Sequence, residues 1–597
     1  MKPRLILLLL LAATLHAELP PSKPLLPEGA AALQASGENV ELGVFNVVPV
    51  QGQPFAEAVQ IETTKTAPFP WNVRVQAATI GPVRKGDTLL AEFTARRVKS
   101  RQETGEALVW VVVERTERPF EKALERELSV GPEWTQIRIP FRADRDADAG
   151  QLQLGLRVGY PAQTIEIGGV KFSNFGPDVA PDDLPETNLW YEGHEPDAAW
   201  RKDAAERIEK IRKSDLRVVV TGPDGKPLAG AKIAVRMQRH AFGFGTAINS
   251  EWLVGGDSPE NQRYRETLLK YFNKAVFEDD IKWPKWIETT PEGKRRRELV
   301  MKALDWMDEH KITPRGHVMV WPSWRYMPES IRKLETDPPK LRQAILDHIA
   351  DQTSVLGKRL AEWDVINESY AHHQVMDILG RDEMVGWFKA ANAGAPEVKL
   401  FYNDYVMFSG DGPGSPSQYF YDTIKFFQEQ GAPIGGIGEQ GHFGGSPPPP
   451  TRVLKVLDRF ADLGLPIQIT EFDIDTSDVE VQTAYTRDFL TAVFSHPAVS
   501  GVMCWGFWEG RHWKPRAAFW TKDWQLRPNG EVWVNLTTKE WWTDADLVSG
   551  DAGDCFVRGF LGDYEVTATA PDGSAAAWTG SLVSGGTTAE LRLTAGR

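Results

Sequence analysis

Two short words in the sequence place carboxylates at the ends of apolar runs: Trp363-Asp-Val-Ile-Asn367-Glu368 and Ile469-Thr470-Glu471-Phe472-Asp473. A carboxylate beside apolar chain is costly to desolvate, so a purely structural sequence gains little from this placement. Two carboxyl groups facing each other across a cleft can hydrolyse a glycosidic bond. One protonates the leaving oxygen, and the other attacks the anomeric carbon or activates water. Two structural salt bridges are the alternative reading of position alone. Composition adds a second hint: the chain carries 22 Trp among 597 residues, and flat indole faces suit the apolar faces of sugar rings.

For both carboxylates to share one cleft, the strands that end in them must be brought side by side. From 240 to 542 the sequence alternates apolar strand-like runs with helical ones. Strands are expected at 242–248, 275–278, 314–321, 363–367, 399–403, 436–440, 467–472 and 501–507, with amphipathic helices between them. Eight strand–helix units predict an α/β fold, a closed (β/α)8 TIM barrel, whose chemistry lies at the carboxyl ends of the strands. Both glutamates fall at such ends.

The flanks differ in texture. Lys2 and Arg4 precede an apolar run at 5–15, and Ala17 offers a small residue for cleavage, so 1–17 is expected to be a secretory signal. That implies a secreted or periplasmic protein. No cysteine follows to carry a lipid and no later run is long enough to cross a membrane, so no membrane anchor is expected. A formal charge of -14 (68 basic, 82 acidic residues) argues against nucleic acid as a partner. Cys504 and Cys555 are too few for a disulfide framework; they could pair or stay free. No metal and no cofactor are expected, and the oligomeric state has no signature.

Residues 37–176 form a series of short strands broken by Gly, Pro and Asp turns, which predicts a β-sandwich of jelly-roll type. Its closing phrase QTIEIGGVKFSN, preceded by LGLRVGYPA, resembles the last strands of jelly-roll carbohydrate-binding modules. Trp71 and Trp110 are the candidates for a sugar platform there, with burial in the core as the alternative. A linker and a helix are expected over 177–214, the helix marked by Trp200, Ala204, Ile208 and Ile211 on one face. Segments 215–239 and 543–597 share an alternating texture, and together predict one small discontinuous β-sandwich beside the 240–542 barrel.

The words FNKAVFEDDIKW, RGHVMVW, WDVINE, GIGEQGH and ITEFD, in this order, with WGFWEGRHW around Trp505, carry a specific likeness. The stretch resembles glycoside hydrolase family 10, the retaining endo-β-1,4-xylanases, and its opening and tail resemble the plant-type branch. The resemblance implies Glu368 as acid/base and Glu471 as nucleophile. It implies that His442 orients the nucleophile, held in turn by Asp473, and that Asn367 grips the sugar 2-hydroxyl. Glu278 and Lys282 would bond the sugar one site further from the cleavage point. His317, Trp321 and Gln440 would surround the reacting sugar, with Trp505 and Trp513 as its aromatic floor and wall. The implied partner is a xylan-like polysaccharide, cleaved internally by double displacement.

Burial and a neighbouring ionised Glu471 are expected to raise the Glu368 pKa, so that it carries a proton when substrate arrives. Two departures touch the substrate side. Asp279 stands where many members have Asn, and Pro322-Ser-Trp324-Arg325 replaces the usual run after Trp321, with Trp324 as an added stacking surface or a narrowing. His372 and His373 read as an exposed loop pair or as contacts to the leaving sugar. Three other readings stay open: the same chemistry on another β-1,4-glycan, transglycosylation, or a non-catalytic polysaccharide-binding protein. The last has no need of both carboxylates.

Overall fold

The computed structural model describes residues 19–594 except 28, 30, 31, 102–105, 161, 188, 189, 288 and 411. The expected signal at 1–17 lies outside the described residues. The chain divides into two units, 1–102 with 107–188, and 189–597 with the short stretch 103–106.

In the second unit eight parallel strands close on themselves. They are β1 (Gly243–Ile248), β2 (Lys274–Phe277), β3 (Thr313–Gly316), β4 (Glu362–Asn367), β5 (Lys399–Asp404), β6 (Gly436–Glu439), β7 (Ile467–Ile474) and β8 (Val499–Cys504). Each pairs with its sequence neighbour, β8 with β1 and β6 with β7, so the sheet has no edge. The strands are buried along nearly their whole length, as parallel strands covered by helices must be. Several covering helices begin with one device: Ser258, Thr290, Asp337 and Ser415 each accept a backbone N–H from the first turn, and Pro follows at once.

The third strand is shorter than expected. Its ladder with β4 is interrupted after Gly316 and resumes at Val320, where the N–H groups of Met319 and Val320 reach the carbonyls of Asp364 and Val365. Beneath the cleft the interior is polar and neutralised. Glu362 accepts from Lys274 (2.6 Å), Arg315 (3.0 Å) and Gln468 (2.7 Å). Burial alone would raise Glu362, but the charges of Lys274 and Arg315 hold it down at about 2.

The two distant β segments join beside the barrel. Lys213–Thr221 lies between Asp554–Phe560 and Thr587–Arg592, and Lys232–His240 lies between Asp544–Val548 and Gly562–Thr569, with Ala575–Leu582 outermost. Their alternating Leu216, Val218, Val220, Ile233 and Val235 are buried between the two sheets. The helix Ala199–Ile211 buries Trp200, Ala204 and Ile208, the face its spacing predicts. Trp200 and Ala204 pack on Ala492, and Arg201 and Tyr191 converge on Asp488 at 2.5 and 2.8 Å. Chain expected as linker is therefore anchored from Tyr191 onward.

The first unit is a sandwich of two antiparallel sheets. Lys23–Pro24 and Gln34–Ser36 add strands ahead of residue 37, too short to show alternation in the sequence. Both cysteines are free; Cys504 is buried and donates to the Thr246 hydroxyl. Among the described residues no helix is long and apolar enough to cross a membrane.

Candidate active site

Glu368 directly follows β4 and takes a left-handed backbone conformation, φ 55°. For a residue with a side chain this costs about 1–2 kcal/mol and persists only where the surroundings enforce it. Here they do: its N–H bonds the Asn403 carbonyl at 3.0 Å, and its carbonyl accepts the His372 N–H at 2.9 Å. The side chain lies in the barrel mouth, 3% exposed.

Glu471, within β7, lies across the same mouth. The two carboxyls are linked by amides. Asn367 donates to Glu368 Oε1 (3.0 Å), Asn403 donates to Asn367 Oδ1 (2.9 Å) and to Glu471 Oε1 (2.8 Å), and Gln440 donates to Glu368 Oε1 (2.7 Å). Thr470 fixes Asn403 by donating to its Oδ1 at 2.7 Å. The other oxygen of Glu471 meets His442 Nε2 at 3.3 Å, His442 Nδ1 reaches Asp473 at 2.9 Å, and Trp513 donates to Asp473 at 2.7 Å. Burial would strip His442 of its proton, but Asp473 and Glu471 on either side raise it to about 10. The imidazolium thus faces Glu471 with a charged donor.

Glu368 departs from expectation. Burial does push its pKa up, but His372 Nε2, 3.3 Å from Oε2, and the amide of Gln440 outweigh it, and the net shift is downward. His372 stands four residues after Glu368, a spacing that allows this contact without requiring it.

The sugar-facing residues gather beside the carboxyls. His317 Nδ1 bonds the buried Asp364 at 3.0 Å and lies 4.0 Å from Glu471. Its ring meets Trp505 edge-on at 5.1 Å. Lys282 sits 5.1 Å from the Trp321 ring and 5.9 Å from Trp505, with Asp279 paired to it at 3.1 Å. Burial and then the charge of Asp279 raise Glu278 to about 7. Trp324 packs partly buried against the core. Tyr326 instead covers one face of Trp321, with ring centroids 3.5 Å apart.

Two members of this site escaped the sequence reading, Asn403 and Tyr326. The signal for Asn403 was its place at the end of β5 in Tyr402-Asn403-Asp404; Tyr326 had none, because stacking across a loop has no fixed spacing. In the first unit Trp71 and Trp110 are brought together, half-buried, with centroids 6.0 Å apart. They line a cavity of about 750 Å³ together with Arg74, Glu114, Lys122 and Arg157.

Residues 234–531 match the family model of Glycosyl hydrolase family 10. The chain carries a family 10 domain. Among curated proteins, Endo-1,4-beta-xylanase 1 of Arabidopsis thaliana is 32% identical over 61% of this chain and 37% of its own length. Anti-sigma-I factor RsgI6 of Acetivibrio thermocellus is 30% identical over 62% of this chain and 47% of its own length. The chain thus spans less than half the length of these curated relatives. Xylanase 10B from Thermotoga petrophila, solved with xylobiose, has 24% identity and a TM-score of 0.45 over 50% of this chain and 95% of its own. The family 10 domain encloses the whole barrel mouth described above, including β4, β7 and the Trp505–Trp513 loop.

Proposed function

We propose that the protein is a secreted retaining glycoside hydrolase that cleaves internal β-1,4 linkages of xylan, with Glu368 as acid/base and Glu471 as nucleophile. The observation that carries this is the pair of buried carboxyls at the ends of β4 and β7, joined through Asn367 and Asn403. The curated relatives named xylanases supply the substrate class.

Glu471 attacks the anomeric carbon while Glu368 gives its proton to the glycosidic oxygen, and the leaving sugar departs. Glu471 is then an ester. Glu368, now a carboxylate, takes a proton from water, which attacks the same carbon and frees Glu471. His442 and Asn403 keep the Glu471 oxygens fixed and acceptor-only before attack. Asn367 would grip the 2-hydroxyl, a bond that strengthens as positive charge grows at the neighbouring carbon. Lys282, Glu278, Trp321, Trp505 and Trp513 hold the sugars on that side. The Trp71–Trp110 cleft of the first unit serves as a separate sugar-binding surface.

Product release from glucuronoxylan, arabinoxylan and carboxymethylcellulose, compared between the native protein and Glu471→Ala, tests the reading. Oligosaccharides from the xylans, lost in the variant by more than about 10³-fold, are expected. Release from the glucan alone would keep the mechanism and overturn the substrate. No release from any of them would favour a binding protein.

A further inference from the structure

The two histidines that follow the Glu368 loop have different fates. His373 is exposed and pairs with Asp377 at 2.9 Å. His372 turns inward, its Nε2 3.3 Å from Glu368 Oε2, with its side chain 26% exposed. The ring is oriented from a different loop: Tyr326 meets it edge-on at 5.4 Å and Trp321 at 6.2 Å. The two oxygens of Glu368 are therefore unequal. Oε1 accepts two amide N–H groups, from Gln440 and Asn367, and has no room for a proton. Any proton on Glu368 must sit on Oε2, the atom that faces His372.

We propose that His372 is a positioning residue for acid catalysis, holding beside Oε2 the proton that Glu368 passes to the glycosidic oxygen. The inference rests on Glu368 being the acid/base. In the first half-reaction the His372 Nε2–H bond breaks as the Glu368 O–H bond forms. That O–H then breaks as its proton joins the leaving oxygen, which keeps the electron pair of the cleaved C–O bond. In the second half a proton from water goes to Glu368 and back to the imidazole, so the pair starts the next turnover unchanged. Nothing is oxidised or reduced.

Other charges near Glu368 come from each neighbouring strand end. His317, just past the end of β3, adds a weaker pull toward ionisation. Asp404 on β5 is pushed well up by burial and then by the charge of Glu368. Glu471 on β7 is screened by Asn403 and His442. Among the described residues His372 is therefore the one titratable group in contact with Oε2.

An imidazole in contact with Oε2 gives the pair a second site, beside the carboxylate itself, for the proton that acid catalysis spends. His372→Gln preserves a polar contact but removes the proton store. On soluble xylan the alkaline limb of kcat/KM is expected to move about one pH unit or more toward acid. On an aryl xylobioside with a nitrophenol leaving group, whose departure needs no proton, the loss should be at least about ten-fold smaller. An unmoved alkaline limb, with equal losses on both substrates, overturns the proposal in favour of a packing or sugar-contact role. Activity on the aryl glycoside reports that the variant is folded. Glu368→Ala in parallel separates the two readings: if xylan hydrolysis survives it, the acid/base assignment itself fails. If it does not, and the His372→Gln profile overlays the native one, only the role of His372 falls.

Discussion

At the scale of single residues, the site depends on neutral amides as much as on its carboxylates. Asn403 has both a donor on Glu471 and a donor on Asn367, and its own carbonyl is fixed by Thr470. A charge-assisted hydrogen bond is worth about 1.5–3 kcal/mol. Asn403→Ala is therefore expected to lower kcat by roughly ten- to a hundred-fold with little change in melting temperature, measured by steady-state kinetics and calorimetry. Asp279 acts on its neighbour by charge. Glu278 holds its proton up to about pH 7 in the folded protein, through burial first and then Asp279. A carboxyl with a raised folded pKa favours the folded state below its ordinary range, and that contribution is lost as pH rises toward 7. Asp279→Asn removes one source of the shift, so the fall in melting temperature between about pH 4.5 and 7 should become shallower than in the native protein. An unchanged slope would mean that burial alone sets it.

At the scale of elements, the strand ends do the positioning, and the helices are tied down where polar groups enter the core. Asp488, in the helix Val479–Ser495, accepts from both Arg201 and Tyr191. Burial raises the Asp488 pKa although Arg201 opposes it, which marks a carboxylate that needs its partners. Asp488→Ala would strand a guanidinium and a buried phenol together. Loss of roughly 2–4 kcal/mol of stability is expected by denaturant unfolding, whereas kcat should stay near native because the strand ends are untouched. A loss in kcat without a loss in stability would place this helix in the working of the site. The strands illustrate the opposite limit. β3 is interrupted after Gly316 and its next residues return to β4 at Met319 and Val320, a break in the ladder that an apolar run in sequence does not show.

At the scale of the whole molecule, the small sandwich draws its strands from segments more than 300 residues apart, such as Val218 opposite Cys555. Lys213–Thr221 takes both of its neighbouring strands from the C-terminal segment, one antiparallel and one parallel. Deletion of 543–597 would leave Leu216, Val218, Val220, Ile233 and Val235 without their covering strands. The expected outcome is insoluble or aggregating protein, checked by soluble yield and light scattering. A soluble, active product would show that the barrel stands without its companion.

The sequence by itself determined the barrel, the order of its strands and the two carboxylates, while the His442–Asp473 support was implied only by the likeness to family 10. The barrel, the strand order and the carboxylates are written in local words or in the period of apolar residues, and none of them depends on what lies across the cleft. Tertiary structure alone decided the rest. His372 rather than Glu471 sets the direction of the Glu368 shift, Tyr326 rather than Trp324 lies on Trp321, and Asn403 bridges the two carboxyls. The physical reason is common to all three. His372 and Tyr326 stand only a few residues from Glu368 and Trp321, and Asn403 reaches Glu471 from another strand, yet each contact is fixed by distances of a few ångströms set by irregular loops or across the cleft, and spacing along the chain carries no measure of those distances.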